Sequence, residues 1–182
     1  MKSQYILELK NISKYFGGIR AIENCNLSIK NGKVTALIGP NGAGKSTLFN
    51  LINGLLLPKK GIIKFKGVDI TNLRPYQRYN LGMARTFQTS RLFYDLTTKD
   101  NLSIGITNTK EALEILEKIG FMDFEGISSK LSGGQRKIVE IVRAITSKCD
   151  FILLDEPFSG LHPENKVKVA QLIKDNCKIK TF

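Results

Sequence analysis

The stretch V34-T-A-L-I-G-P-N-G-A-G-K-S-T-L-F-N50 joins a short apolar run to a glycine-rich turn and then to a segment of helical periodicity. Val34–Ile38 reads as a buried strand, being nearly continuous in apolar residues and bounded by a turn. The turn itself, Gly39, Pro40, Asn41, Gly42, Ala43, Gly44, Lys45, Ser46 and Thr47, fits the pattern G-x-x-x-x-G-K-[ST]. KSTLFNLINGLL (45–56) follows as a helix. Glycines let consecutive backbone N–H groups point inward with no side chain in the way, which suits a polyphosphate. The helix N-terminus adds partial positive charge. In that setting Lys45 reaches the β- and γ-phosphates and the Ser46 hydroxyl ligates Mg²⁺. A ligand-free turn would account for the glycines, but not for a lysine followed by two hydroxyls.

A second chemical signal lies at F151-I-L-L-D-E-P-F-S-G-L-H-P-E164, where an apolar run ends in two adjacent acids. A buried strand beside the phosphate-loop strand would deliver those acids to the end of the sheet where ligands collect. Asp155 is then placed to hold Mg²⁺ through water, and Glu156 to orient and polarise an attacking water as general base.

Between these motifs strand and helix patterns alternate, so the fold class is α/β. Residues 5–9 and 21–29 read as strands, and GIIKFKGVDI (61–70) as a hairpin closed near Lys66-Gly67. Helices are expected at 109–119, at 134–147, where Ile138, Ile141, Val142 and Ile145 fall at i, i+3, i+4 and i+7, and at 163–176, with Pro163 in the first turn. The whole chain, 1–182, reads as one domain with a mostly helical stretch inserted between strands.

Composition narrows the function classes. The N-terminus interleaves charges with apolar residues, unlike a signal peptide, and no segment approaches the roughly 20 apolar residues of a membrane span. A cytoplasmic location without direct membrane insertion is the expectation. The net charge of +12 invites a nucleic-acid reading, but the basic residues are scattered, mostly Lys, with no Arg-rich or aromatic-interleaved run, so no nucleic acid is expected as partner. Cys25, Cys149 and Cys177 are odd in number and far apart, and read as free thiols.

The discriminating motif is LSGGQ (131–135). Taken alone, Ser132 reads as an N-cap. With GPNGAGKST and FILLDEP in this order, it makes the whole chain resemble the nucleotide-binding subunits of ABC transporters. That resemblance implies a P-loop NTPase core of ABC type, with an N-terminal antiparallel β subdomain and a helical signature subdomain at about 90–147. It implies ATP and Mg²⁺ as cofactors, and a second ABC subunit in a head-to-tail dimer. Across that dimer Ser132, Gly133, Gly134 and Gln135 would bind the γ-phosphate held by the partner. Gln88, in RTFQ, corresponds to the glutamine that senses Mg²⁺ and the attacking water and couples to transmembrane permease subunits. Phe16, in KYFGG, stands where an aromatic residue stacks on adenine, with the neighbouring Tyr15 an alternative and a packed strand residue the plain one.

GMARTFQTSRLFYDLTTKDNL (82–102) and DITNLRP (69–75) look like the ATPases of branched-chain amino-acid importers, with lipid or lipopolysaccharide exporters close by. The expected function is ATP hydrolysis that energises a membrane transporter, from the cytoplasmic face. A cassette that binds ATP but hydrolyses it poorly, and a soluble ABC-type ATPase, are the alternatives. His162 follows S-G-L in a loop that contacts the partner subunit in the family, and is not the family's switch histidine. That residue ends a further strand. Phe182 stands 27 positions after Asp155, where the strand would begin. A fragment, a truncated product, or a group supplied by a partner all fit this reading.

Overall fold

The computed structural model describes residues 4–105 and 108–182. It divides into two compact units, one built from the chain up to Met83 together with Cys177–Phe182, the other from Ala84–Asn176.

The first unit is organised on a four-stranded antiparallel sheet, in the order β2-β1-β3-β4. Strand β1 (Tyr5–Phe16) pairs with β2 (Ile19–Lys30) on one side and β3 (Lys60–Phe65) on the other, and β3 turns into β4 (Val68–Asp69). Leu7 stands opposite Phe65 and Leu9 opposite Ile63, and all four are at most 1% exposed. These cross-strand apolar pairs are what pins the register. The β3–β4 hairpin turns at Lys66 and Gly67, with φ of 51° and 82°, as the sequence pattern leads one to expect of a two-residue turn.

Helix α1 (Lys45–Asn53) starts at Gly44 and stops at Gly54, both left-handed, and so ends sooner than the 45–56 span read from the sequence. The Gly54 N–H closes the helix onto Asn50 O and Leu51 O, and a Cβ there would lie 2.6 Å from the Leu73 carbonyl. A second device at this end was not read from the sequence. Arg78, on helix α2 (Pro75–Asn80), is fully buried and donates to the carbonyls of Leu51, Ile52, Thr71 and Leu73 at 2.6–3.0 Å. It thereby satisfies two of the carbonyls that a helix end leaves without partners. Burial pulls its guanidinium down to about 10, so it stays charged at neutral pH.

The expected buried strand at 34–38 is corrected by the structure. These residues belong to none of the strands among the described residues, and Val34, Leu37 and Ile38 are 54%, 42% and 89% exposed. An apolar run becomes a buried strand only where neighbours complete its ladder and cover its faces. Among the described residues of this unit, backbone bonds meet the stretch at its start, where Thr35 N–H donates to Phe182 O at 2.8 Å and Phe182 N–H to Lys33 O at 3.0 Å. Thr181 reinforces that join by accepting the Gly32 N–H and donating to Asn31 Oδ1.

The second unit pairs β5 (Met83–Arg85) with β6 (Phe151–Leu153) and adds helices α3 (Thr98–Ser103), α4 (Thr109–Ile119), α5 (Gly133–Thr146) and α6 (Pro163–Asn176). The four residues picked out by helical spacing, Ile138, Ile141, Val142 and Ile145, are all buried on α5. The loop before α3 pairs with residues 126–129 through a bridge of Thr97 with Ile127 and the bonds of Ser128 N–H to Leu96 O and Ser129 N–H to Tyr94 O. Buried Asn101 also holds it, accepting from Phe93 N–H and donating to the carbonyls of Phe93 and Thr97.

Candidate functional site

The phosphate-loop motif sits, as its sequence demands, at the N-terminus of α1. That helix has no side-chain N-cap, so its first N–H groups are left to the loop and whatever the loop holds. Gly42 and Gly44 take φ of 81° and 83°, which L side chains rarely adopt. Gly44 has a second reason to be glycine, since a Cβ there would come 2.6 Å from the Ala21 carbonyl of β2. The close approach fixes the loop against the β1–β2 hairpin. Lys45 Nζ donates to the carbonyls of Gly39 and Pro40, each at 2.7 Å, folding its ammonium back over the loop. Ser46 is exposed. Phe16 ends β1 opposite Ile19 with 44% of its surface exposed, whereas Tyr15 is half-buried. Lys14 Nζ lies 5.4 Å from the centre of the Phe16 ring.

In the second unit the acids after β6 meet the glutamine after β5. Gln88 Nε2 donates to Glu156 Oε2 at 3.3 Å. Asp155 is half-buried and forms an ion pair with Arg85, Nη2 to Oδ2 at 3.0 Å, while its own N–H donates to Thr86 Oγ1. The pairing of β5 with β6 creates these meetings, because the Thr86 N–H, one residue past β5, bonds the carbonyl of Leu153, the last residue of β6. Glu156 has φ of 45°, a left-handed conformation that a glutamate seldom takes and that is found disproportionately at functional sites.

Arg85 is the site neighbour that sequence reasoning missed. Burial draws its guanidinium down, and the bond to Asp155 draws it back. It also lies 4.8 Å over the Phe87 ring, with Arg91 at 3.9 Å from the same ring. The signal was present in R85-T-F-Q88, whose period of two turns Arg85 and Phe87 the same way, but nothing in the string names the partner.

The signature segment opens α5. Ser132 Oγ accepts from Gln135 N–H at 3.2 Å and Gln135 Oε1 accepts from Ser132 N–H at 2.8 Å, a reciprocal cap. Gly133 has open space where a Cβ would stand, and Gly134 lies against the Gly160 carbonyl, 3.1 Å from its would-be Cβ. His162 is exposed, beyond that same loop, and its carbonyl receives Lys166 N–H.

Asp155, Glu156 and Gln88 offer oxygen donors only, the set a hard cation such as Mg²⁺ takes. Among the described residues no cluster of three or more His, Cys, Asp or Glu exists that would cage a metal by itself. In this structure the positive charge that the Asp155 carboxylate faces is the Arg85 guanidinium.

Residues 22–159 match the family model described as ABC transporter. The chain is 39% identical to a probable branched-chain amino acid transport ATP-binding protein of Methanocaldococcus jannaschii, over 87% of this chain and 70% of that one. It is 36% identical to an intermembrane phospholipid transport system ATP-binding protein of Haemophilus influenzae, over 94% of this chain and 70% of the relative. Among solved structures, a dimeric ATP-binding cassette in a post-hydrolysis state, bound to ADP and Pi, superposes with a TM-score of 0.83 at 30% identity, over 96% of this chain and 85% of that one. The chain therefore belongs to the ABC transporter family. Its fold is the ABC ATPase cassette and its class is that of ATP-hydrolysing, ATP-binding transport subunits.

Proposed function

We propose that this chain is the ATPase subunit of a membrane importer of branched-chain amino acids, working as a dimer on permease subunits at the cytoplasmic face of the membrane. The observation that carries the hydrolytic part is the bond between Gln88 and Glu156 next to the cation-facing Asp155. That bond joins a carboxylate able to accept a proton to an amide able to orient water, beside the Asp155 carboxylate, groups that in-line attack of water on a γ-phosphate would use. Bound Mg²⁺ supplies charge neutralisation on the phosphates. The chain's own groups do the rest. The backbone of residues 39–47 with Lys45 cradles the phosphates and Ser46 offers a hydroxyl to the metal. Phe16 presents a ring to the base, and Glu156 takes the proton of water. Ser132, Gly133, Gly134 and Gln135 act on the partner's nucleotide. The helical part at about 90–147 is the face toward the permease. No helix among the described residues is long and apolar enough to cross a membrane.

The test is Glu156→Gln, which keeps the shape of the side chain and removes the base. Phosphate release should fall by about 100-fold or more, the scale of a lost general base, while sedimentation in Mg-ATP should show a persistent dimer. A variant that binds ATP yet stays monomeric, or one that hydrolyses normally, overturns the reading. The substrate is a separate matter, because the similarity to the phospholipid-transport relative supports lipid movement as a second reading. Genes for an amino-acid-binding protein and permeases beside this one would favour the first, and lipid-transport genes the second.

A further inference from the structure

We propose that Lys137 and Glu140, one turn apart on α5, are positioning residues that hold the Gln88 loop in place against Glu156. The inference rests on the reading of Gln88 and Glu156 as parts of the hydrolytic site. Residues 86–92 leave β5 without entering any helix or strand, and the Gln88 side chain at their middle is exposed. A 3.3 Å bond to an exposed glutamate is too weak to order such a loop unaided. The backbone of the loop is held from α5 instead. Lys137 Nζ donates to Phe87 O at 2.6 Å and to Gln88 O at 2.9 Å, and Glu140 Oε1 accepts the Phe87 N–H at 3.2 Å. Farther along the same helix face, Arg143 Nη2 donates to Arg91 O at 3.1 Å.

Lys137 and Glu140 are only 4% and 2% exposed. Burying an ammonium and a carboxylate is costly unless each finds partners, and here those partners include the peptide groups of residues 87 and 88. Because the bonds run to backbone, they fix the position of Gln88 regardless of the loop's own side chains. Residues at i and i+3 share one helix face, so a single face reads both the carbonyls and the N–H of the loop. The same helix begins at Gly133, with Ser132 as its cap, so the signature segment and the groups that hold the Gln88 loop share one element.

Two measurements on the full chain test this, amide hydrogen exchange of the segment 84–92 and steady-state ATP hydrolysis. In Lys137→Met and Glu140→Leu, exchange at Phe87 and its neighbours should accelerate about tenfold. kcat should drop by on the order of 10- to 100-fold, the cost of a misplaced group, with KM for ATP changed less than twofold. Lys137→Arg and Glu140→Gln retain a donor or an acceptor and should restore both readouts. Unchanged exchange in the two disruptive variants overturns the proposal, as does a KM that rises as steeply as kcat falls. Should Lys137→Met or Glu140→Leu fail to fold, loss of kcat in the folded conservative variants without faster exchange overturns it too. If the wild-type chain shows no turnover, the hydrolytic reading fails, and the exchange data alone decide whether α5 holds the loop.

Discussion

Lys45 has its ammonium on two loop carbonyls, at 2.7 Å each, and this decides what its loss would do. Those carbonyls belong to an exposed turn that water can solvate, so the fold does not depend on the bond. A phosphate does, because the lysine is the one full charge that the motif contributes. Lys45→Ala should therefore lower Mg-ATP affinity by about 10- to 100-fold, the range of one or two charge-assisted hydrogen bonds. Titration with a fluorescent ATP analogue reads the affinity, and an unchanged melting temperature shows that the fold survives. Unaltered affinity would sink the assignment of the loop. The same scale explains why Asp155 and Glu156, adjacent in sequence, take up separate partners. Asp155 is half-buried on Arg85, while Glu156, turned by its positive φ, meets Gln88.

At the scale of elements, the phosphate-loop helix is finished by another helix. Arg78 of α2 reaches four carbonyls, two of them at the end of α1, and nothing else of its charge meets an acid in those bonds. Arg78→Met keeps much of the volume but strands those carbonyls in a buried place. A loss of about 3 kcal/mol is expected in urea unfolding, the scale of breaking a buried charged network. A shift of under 1 kcal/mol would show that water replaces the guanidinium.

Helix α5 offers an electrostatic counterpart. Burial raises the Glu140 carboxyl above its ordinary value, an effect only partly opposed by the Phe87 N–H and by Lys137. A native value above the unfolded one means that the group favours the folded state below its unfolded pKa, and that this contribution is lost as pH rises through the native value. Glu140→Gln keeps an acceptor for Phe87 without the charge. Relative to wild type, its melting temperature should therefore improve as pH rises above the ordinary carboxylate range. A difference that is flat in pH would contradict the burial account.

For the whole molecule, the first unit is closed by residues far apart in sequence. Gly32 bonds the Thr181 hydroxyl, Thr35 and Lys33 bond Phe182, and Thr181 and Phe182 are 0% and 8% exposed. Deleting Thr181 and Phe182 removes three hydrogen bonds to residues 32–35 and uncovers an aromatic contact. A loss on the order of 2–4 kcal/mol is expected from those bonds and the apolar area, measured by denaturant midpoint. Hydrogen exchange at Thr35 should rise with it. No change at either readout would mean that the end of the chain is a passive neighbour.

How much of this was legible beforehand depends on the range of the forces involved. The glycine-rich turn, the hairpin at Lys66-Gly67, the amphipathic face of α5 and the Pro163 start of α6 are local, because they follow from φ preferences, turn chemistry and side-chain period within a few residues. Spacing also marked Lys45, Asp155 and Glu156 as candidate residues, whereas 131–135 taken alone reads as a helix cap and has its proposed role from the family resemblance. Tertiary structure alone decided the partners. It chose Arg85 for Asp155, Arg78 for the end of α1, Lys137 and Glu140 for the Gln88 loop, and Phe182 for Thr35. It also decided against a buried strand at 34–38, whose apolar pattern states a capacity for burial. Whether a strand forms depends on which backbone arrives beside it to accept its N–H groups, and that is set by the path of the chain between distant residues.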